Sequence, residues 1–580
     1  MDDQNKNLIL ASALSILVIL GWFVLGPILF PSAFPPPAEQ TDRTAPQGEA
    51  GTPPPAGTVA PAVTPALTAT PEQPIEAALA RSTRLPIRTP RLEGSLSLTG
   101  ARIDYLDLSS YRETLQPASP VVTLLKPAGV ANAYYALYGW APAAGLDPAL
   151  VPGPSTVWSV ESGEAIGAAP VTLSWDNGQG LLFRQTVSVD QNYMFTVTQS
   201  VENRTGAPVR LAPYGIIARH GTPPDLKNFY ILHEGVVMVA DGQLEELKYK
   251  ALRDLEPVAT EGGANAHVVE TARGGWIGFT DHYWMSALAA PPGQSFTAVA
   301  KYTAATDTYQ TDLRLPAMDV APGTSVQAET WLFAGAKVWS ILRDYQNDKG
   351  IERFVDAIDW GWFFFLTKPI FIALHELHKL IGNMGLAIIG LTFVIKLILF
   401  PLAYKSFVSM SKMKALQPEL EKLKEKAGDD RMKMQQEMMA LYKREKVNPA
   451  AGCLPIVMQI PIFFSLYKVI FVTIELRHAP FVGWIRDLSA PDPSSWMNAF
   501  GLLPWATPAH TSLFGILSIG LLPILLGISM WLQQRLNPVP ADKTQAMIFN
   551  WMPWIFMFML GSFASGLVIY WVANNTITFL

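Results

Sequence analysis

The chain has 580 residues, 49% of them hydrophobic and only 16% charged, and its mean hydropathy of +0.21 excludes a soluble protein of ordinary surface. A net charge of -5 excludes a general affinity for nucleic acid, so no direct nucleic-acid specificity is expected. The single Cys453 excludes an intrachain disulfide and any zinc site built from cysteine pairs.

The first apolar run, residues 8–30 (LILASALSILVILGWFVLGPILF), is long enough to span a bilayer. The MDDQNKN before it is not basic, the run is too long for a signal h-region and no convincing A-x-A site follows. Residues 1–30 therefore read as an uncleaved transmembrane anchor. Residues 31–80, rich in Pro, Ala, Thr and Gly, cannot bury a core and read as a tether.

From 81 to 340 the texture changes. Runs such as VTLSW, LLFRQTVSV and YMFTVTQSV alternate with the turn clusters DNGQG and DQN, which predicts antiparallel strands in one large all-β sandwich domain. Residues 355–383 combine an aromatic block with Pro369 and the group His375, Glu376, His378 and Lys379. They read as an amphipathic interfacial helix, with Trp360 and Trp362 at headgroup depth.

Residues 384–404 read as the second span, interrupted near its middle by Lys396, roughly 13 Å along the helix from Lys405. A central lysine costs about +2.5 to +3.5 kcal/mol on insertion scales, so its side chain should face a watery cavity or a partner. Thr392, one turn earlier, shares its face. Residues 405–447 read as a cytoplasmic helical hairpin broken at Gly428, where methionines (Met410, Met413, Met432, Met434, Met438, Met439) interleave with basic residues such as Lys412 and Lys414. Met-rich faces adapt to varied apolar partners, so the hairpin reads either as a docking arm for unfolded segments or a targeting factor, or as a pair of helices packed on their own apolar stripe.

Four further apolar runs, 452–473, 513–533, 547–562 and 566–580, make up the block 452–580. The last covers only about 22 Å at the helical rise, so the natural chain is expected to continue past Leu580. Residues 405–446 hold eleven Lys or Arg against two in 475–510. By the positive-inside rule this predicts six spans, a cytoplasmic N-terminus and the β-domain outside.

Several constellations carry possible chemistry. Gln459, Asn574 and Asn575 are polar and intramembrane; they serve either as hydrogen-bonding glue between helices or as parts of a polar path with Lys396. No Asp or Glu lies within the spans to neutralise Lys396, which argues for an external partner instead of a proton relay. His375 and His378 are three apart where H-E-x-x-H needs four, and no G-x-x-x-x-G-K-[ST] occurs, so no catalytic residue, metal or cofactor is assigned. His220, His233, Glu234, Asp281 and His282 could line a sugar site in the β-domain. Two functions stay open on these residues: a transporter or channel with an anion site at Lys396, and an envelope glycan-binding protein.

The runs SMSKMKALQPELEKLKEK, QQEMMALYKREKVNPAAGCLPIVMQIPIFFSLYKVI, ELRHAPFVGWIRDLSAPDP and SGLVIYW closely resemble the YidC membrane protein insertases of Gram-negative bacteria, relatives of the Oxa and Alb proteins. The resemblance implies a polytopic α-helical protein of six transmembrane helices with a five-helix insertase core and a periplasmic β-supersandwich. It implies a hydrophilic groove at Lys396 and Thr392, with Gln459, Tyr570 and Trp571 at groove or substrate-contact positions. It also implies nascent membrane proteins as substrates, the Sec translocon, ribosome–nascent chains and the lipid bilayer as partners, and the bacterial inner membrane as location. Many members carry arginine at the position of Lys396 and tyrosine at that of Trp571.

Overall fold

The computed structural model describes residues 74–143, 146–227, 231–416, 418–420, 422–423, 431–445, 454–503, 505, 518–536 and 543–580. The anchor predicted at 1–30, most of the tether and Gly428 lie outside the described residues.

Two antiparallel sheets, of eleven and nine strands, build the β-domain. Strand Leu181–Val189 alternates buried and half-buried side chains at every position, as the pattern LLFRQTVSV requires of a strand with one face in a core. It pairs with Met194–Asn203, and the turn between them is closed by Asp190, whose Oδ1 accepts from the N–H groups of Asn192 (2.9 Å) and Met194 (3.1 Å). Strand Tyr134–Pro142 is buried at all nine positions. Its Tyr134, Ala136, Tyr138 and Trp140 fill the core between the sheets. Tyr135, Leu137 and Ala141 join a second cluster with Ala78, on the short helix α1, Ile75–Leu79. Covered on both faces, this strand is apolar throughout instead of alternating.

A second one-turn helix, α2 (Tyr249–Arg253), buries Tyr249 and Leu252. The domain extends past 340 through α3, Trp339–Asp348, which buries Trp339, Ile341, Leu342 and Tyr345. The Tyr345 hydroxyl donates to Asp190 Oδ2 at 2.6 Å and accepts from the Tyr193 N–H at 3.2 Å. A helix outside the sandwich thus ties the turn that closes the Leu181–Val189 hairpin.

The helical half comprises α4 (Phe364–Ile381), α5 (Met384–Ala415), α6 (Arg431–Arg444), α7 (Leu454–Val472), α8 (Leu521–Gln534), α9 (Lys543–Leu560) and α10 (Ser565–Phe579). Helix α4 begins at Phe364, and a 3-10 turn, Phe354–Ala357, precedes it. Its buried residues Thr367, Ile370, Phe371 and Leu374 fall at helical spacing and pack toward α5 and α7, while Ile372 and Leu380 stay exposed on the opposite side. Trp360 corrects its sequence reading: it is 4% exposed, its ring lies 5.4 Å from Phe371 and its Nε1 donates to the Val355 carbonyl at 3.0 Å. The chain turns there into α4 and needs an apolar plug, so only Trp362, 83% exposed, is free to meet an interface.

Among the described residues, α5 is the one helix long and apolar enough to cross a membrane by itself; the apolar helices Val457–Val472, Leu521–Gln534 and Met547–Leu560 are shorter. Asn383 caps α5, its side chain accepting from the Leu386 N–H at 3.0 Å. With 32 residues α5 runs about 48 Å, well beyond a hydrocarbon core of about 30 Å. The span 384–404 and the first arm of the hairpin are therefore one continuous helix with no break at 405. Arg444 on α6 returns to Glu419 at 3.1 Å, joining the arms.

Candidate functional site

Between α5, α7, α8 and α10 the structure assembles a connected run of polar side chains inside otherwise apolar helices. Lys396 Nζ donates to Thr578 Oγ1 at 2.7 Å, and Thr578 donates to the Asn574 carbonyl one turn back at 2.6 Å. Gln459, on α7, donates to Asn574 Oδ1 at 2.7 Å and to the Tyr570 hydroxyl at 3.3 Å. Asn575 donates to Ser529 Oγ on α8 at 3.1 Å. Three of the helices thus meet through hydrogen bonds of uncharged groups, and α5 joins them through the Lys396 ammonium.

Lys396 is half-buried, and its one charge faces a hydroxyl. Among the described residues no carboxylate pairs with it. A hydroxyl satisfies one of three ammonium donors, so the cation keeps most of its capacity for a partner carrying negative charge.

The remaining candidates fall into place unequally. Thr392 is 1% exposed and donates to the Ile388 carbonyl of its own helix at 2.7 Å, which leaves it facing protein and not an open path. Tyr570 is 2% exposed. Trp571 packs its ring 5.1 Å from Phe463, and its Nε1 is buried without a partner among the described residues. On the first hairpin arm Lys412 and Lys414 are exposed and Met410 and Met413 half-buried; on the second arm Met432 and Met439 are exposed. Glu376 and Lys379 form an exposed ion pair at 2.9 Å, and His375 lies against Trp339. Among the described residues no group of three or more His, Cys, Asp or Glu is placed to hold a metal.

The β-domain residues considered for a sugar site are engaged elsewhere. His220 meets the Tyr135 hydroxyl at 3.0 Å. Asp281 pairs with Arg219 at 2.7 Å, and Glu234 accepts from the Lys227 N–H at 2.8 Å. The His233 N–H donates to Asp359, and His282 Nε2 donates to the Phe471 carbonyl of α7 at 2.6 Å. Burial holds both imidazoles neutral, pushing His233 down to about 4 and His282 to about 3. These last two residues face the helical half, and the end of the sandwich that carries them is a joint instead of an open cleft.

Sequence reasoning missed Thr578, Ser529 and Lys468. Thr578 was findable, because it lies four residues after Asn574 and so on the same face. Lys468, buried at 6% exposure inside the run 452–473, was hidden by its apolar neighbours; its partner Asp359, 2.6 Å away, is more than a hundred residues earlier.

The family model for the YidC periplasmic domain matches residues 84–373, and that described as 60Kd inner membrane protein matches 376–580. The chain is 60% identical to a membrane protein insertase YidC of Dinoroseobacter shibae and 61% identical to one of Ruegeria pomeroyi, covering all of this chain and 95% of each relative. A crystal structure of an active YidC insertase with its first transmembrane domain resolved is 18% identical, with TM-score 0.35 over 86% of this chain and 92% of that one. On the near full-length sequence matches, the chain belongs to the YidC family of membrane protein insertases.

Proposed function

We propose that this insertase moves the polar flank of a nascent membrane protein along the seam of Lys396, Thr578, Asn574 and Gln459 while the apolar part of the substrate passes sideways into lipid. The observation that carries this reading is the half-buried Lys396, which among the described residues has a single hydroxyl partner and no carboxylate. A structural lysine in an apolar bundle needs an anion or several acceptors to offset its desolvation; among the described residues this one has neither, and it suits a visiting acidic segment.

The magnitudes fit a passive device. Each apolar residue at mid-helix contributes about -0.3 to -0.6 kcal/mol and a central Asp costs about +2.5 to +3.5, so a weakly apolar hairpin is near balance. A cationic, hydrogen-bonding path lowers the polar cost during transit, and no nucleotide is consumed. Lys396 and Gln459 are the working residues; Tyr570 and Trp571 form the wall behind them. Thr392 supports the helix at that point.

The same reading gives six spans with both ends in the cytoplasm of a bacterial inner membrane and the β-domain in the periplasm. The lysines beside Met410 and Met413 then face the cytoplasm, where ribosome–nascent chains and a targeting factor would meet them, and the Sec translocon would be a lateral partner for longer substrates. The test is protease protection of a small two-span protein with an acidic tail, synthesised beside liposomes holding only this protein. Protection above that of empty liposomes is expected; equal protection with folded protein would reopen a transport function.

A further inference from the structure

The contacts that join the helical half to the β-domain concentrate on a short stretch at one end of α7. Lys468 pairs with Asp359 at 2.6 Å and also donates to the Ile231 carbonyl of the β-domain. One helical turn on, the Phe471 carbonyl accepts from His282, whose ring stacks on the Phe471 ring at 4.7 Å. Glu475 Oε1 accepts from the Trp339 N–H of α3 at 3.1 Å. Arg477 donates to the carbonyls of Arg112 (2.6 Å) and Glu113 (3.2 Å).

Asp359 is the hub of this joint. One carboxylate oxygen takes both Lys468 and the His233 N–H (2.8 Å), and the other takes the Gly361 N–H (3.0 Å). Burial alone would raise its pKa, but Lys468 and the two backbone donors outweigh burial and hold it below the usual carboxylate range. Gly361, at φ +69°, lies against the Lys468 stem; a Cβ there would stand 3.3 Å from Cε. Backbone and charge are fitted to each other.

We infer that the Lys468–Asp359 pair, together with the His282–Phe471 hydrogen bond one turn on, is a positioning latch, by which the β-domain fixes the outer end of α7 and so sets where Gln459, nine residues back along the helix, stands in the polar seam. The inference rests on the reading of α7 as a wall of that seam. Removing one partner strands a buried charge, whereas removing both does not, so the double variant Lys468→Met/Asp359→Asn isolates positioning from folding.

The experiment uses the full chain in liposomes, with spin labels at Met458→Cys and Ser162→Cys in a Cys453→Ser background. The latch predicts one narrow distance between the labels in the parent, a broadened distribution in the folded double variant, and a fall in insertion of about fivefold or more. A narrow distribution in the double variant, or a broad one with parental insertion, overturns the inference. His282→Phe keeps the ring stack and removes only the hydrogen bond to Phe471; it should broaden the distribution partly, and an unchanged distribution counts against the latch even if the double variant does not fold. Gln459→Leu separates the two claims: parental insertion by that variant removes the seam while leaving the distance result standing.

Discussion

Gln459 supplies both hydrogen bonds that tie α7 to Asn574 and Tyr570. Gln459→Leu leaves their acceptors unpaired in a buried site, at a cost of about 1 to 3 kcal/mol; the expected result is a lower melting temperature in detergent together with weaker insertion of polar-tailed substrates. Glu475 sets a pH dependence. Burial raises its carboxyl from the usual 4.5 to about 7, so the folded protein holds a proton that the unfolded chain has lost. The stabilisation is complete below pH 4.5 and lost as pH rises to about 7, amounting to about 3 kcal/mol at most. Glu475→Gln should flatten that slope in melting temperatures measured from pH 4.5 to 8, and an unchanged slope would show that another group carries it. Lys396 was legible in the sequence because one charge interrupts a run of apolar residues. Lys468 sits in as apolar a run, but the residue that explains it, Asp359, is remote in sequence, and a single sequence does not reveal such pairs.

At the scale of elements, alternation carried the strands and an unbroken apolar run carried the long helix α5, and tertiary packing decided the rest. The alternation in LLFRQTVSV is the burial pattern of its strand. Helix α3 was not anticipated, since its burial depends on the Asp190 turn it meets. Tyr345→Phe removes the hydroxyl from Asp190 and the Tyr193 N–H and should destabilise the β-domain by about 1 to 3 kcal/mol, read as a downward shift of its thermal transition. Helix α5 shows a second such dependence: a Cβ on Gly385 would stand 2.1 Å from the Phe481 ring, closer than atoms can approach. Gly385→Ala should therefore push α5 from the loop after α7 and reduce both stability and insertion, whereas Gly390→Ala, with side chains no nearer than 3.7 Å, should be tolerated and even favour the helix.

Over the whole molecule, the β-domain and the helical half meet through specific contacts, while the seam inside the helices is polar and, among the described residues, carries one cation with no anion beside it. Under the proposed reading those two features have different tasks: the joint holds, and the seam receives. The most direct measurement of that division compares protease protection of two otherwise identical two-span substrates, one with acidic and one with neutral polar tails, by liposomes holding the parent, Lys396→Arg or Lys396→Leu. Lys396→Arg should insert both substrates as the parent does, and Lys396→Leu should lose the acidic-tailed one by about tenfold, the size of a charge contact worth 1.4 kcal/mol, while keeping the neutral one. Equal insertion of the acidic-tailed substrate by Lys396→Leu and Lys396→Arg would contradict the account, because the charge at Lys396 would then have no part in insertion.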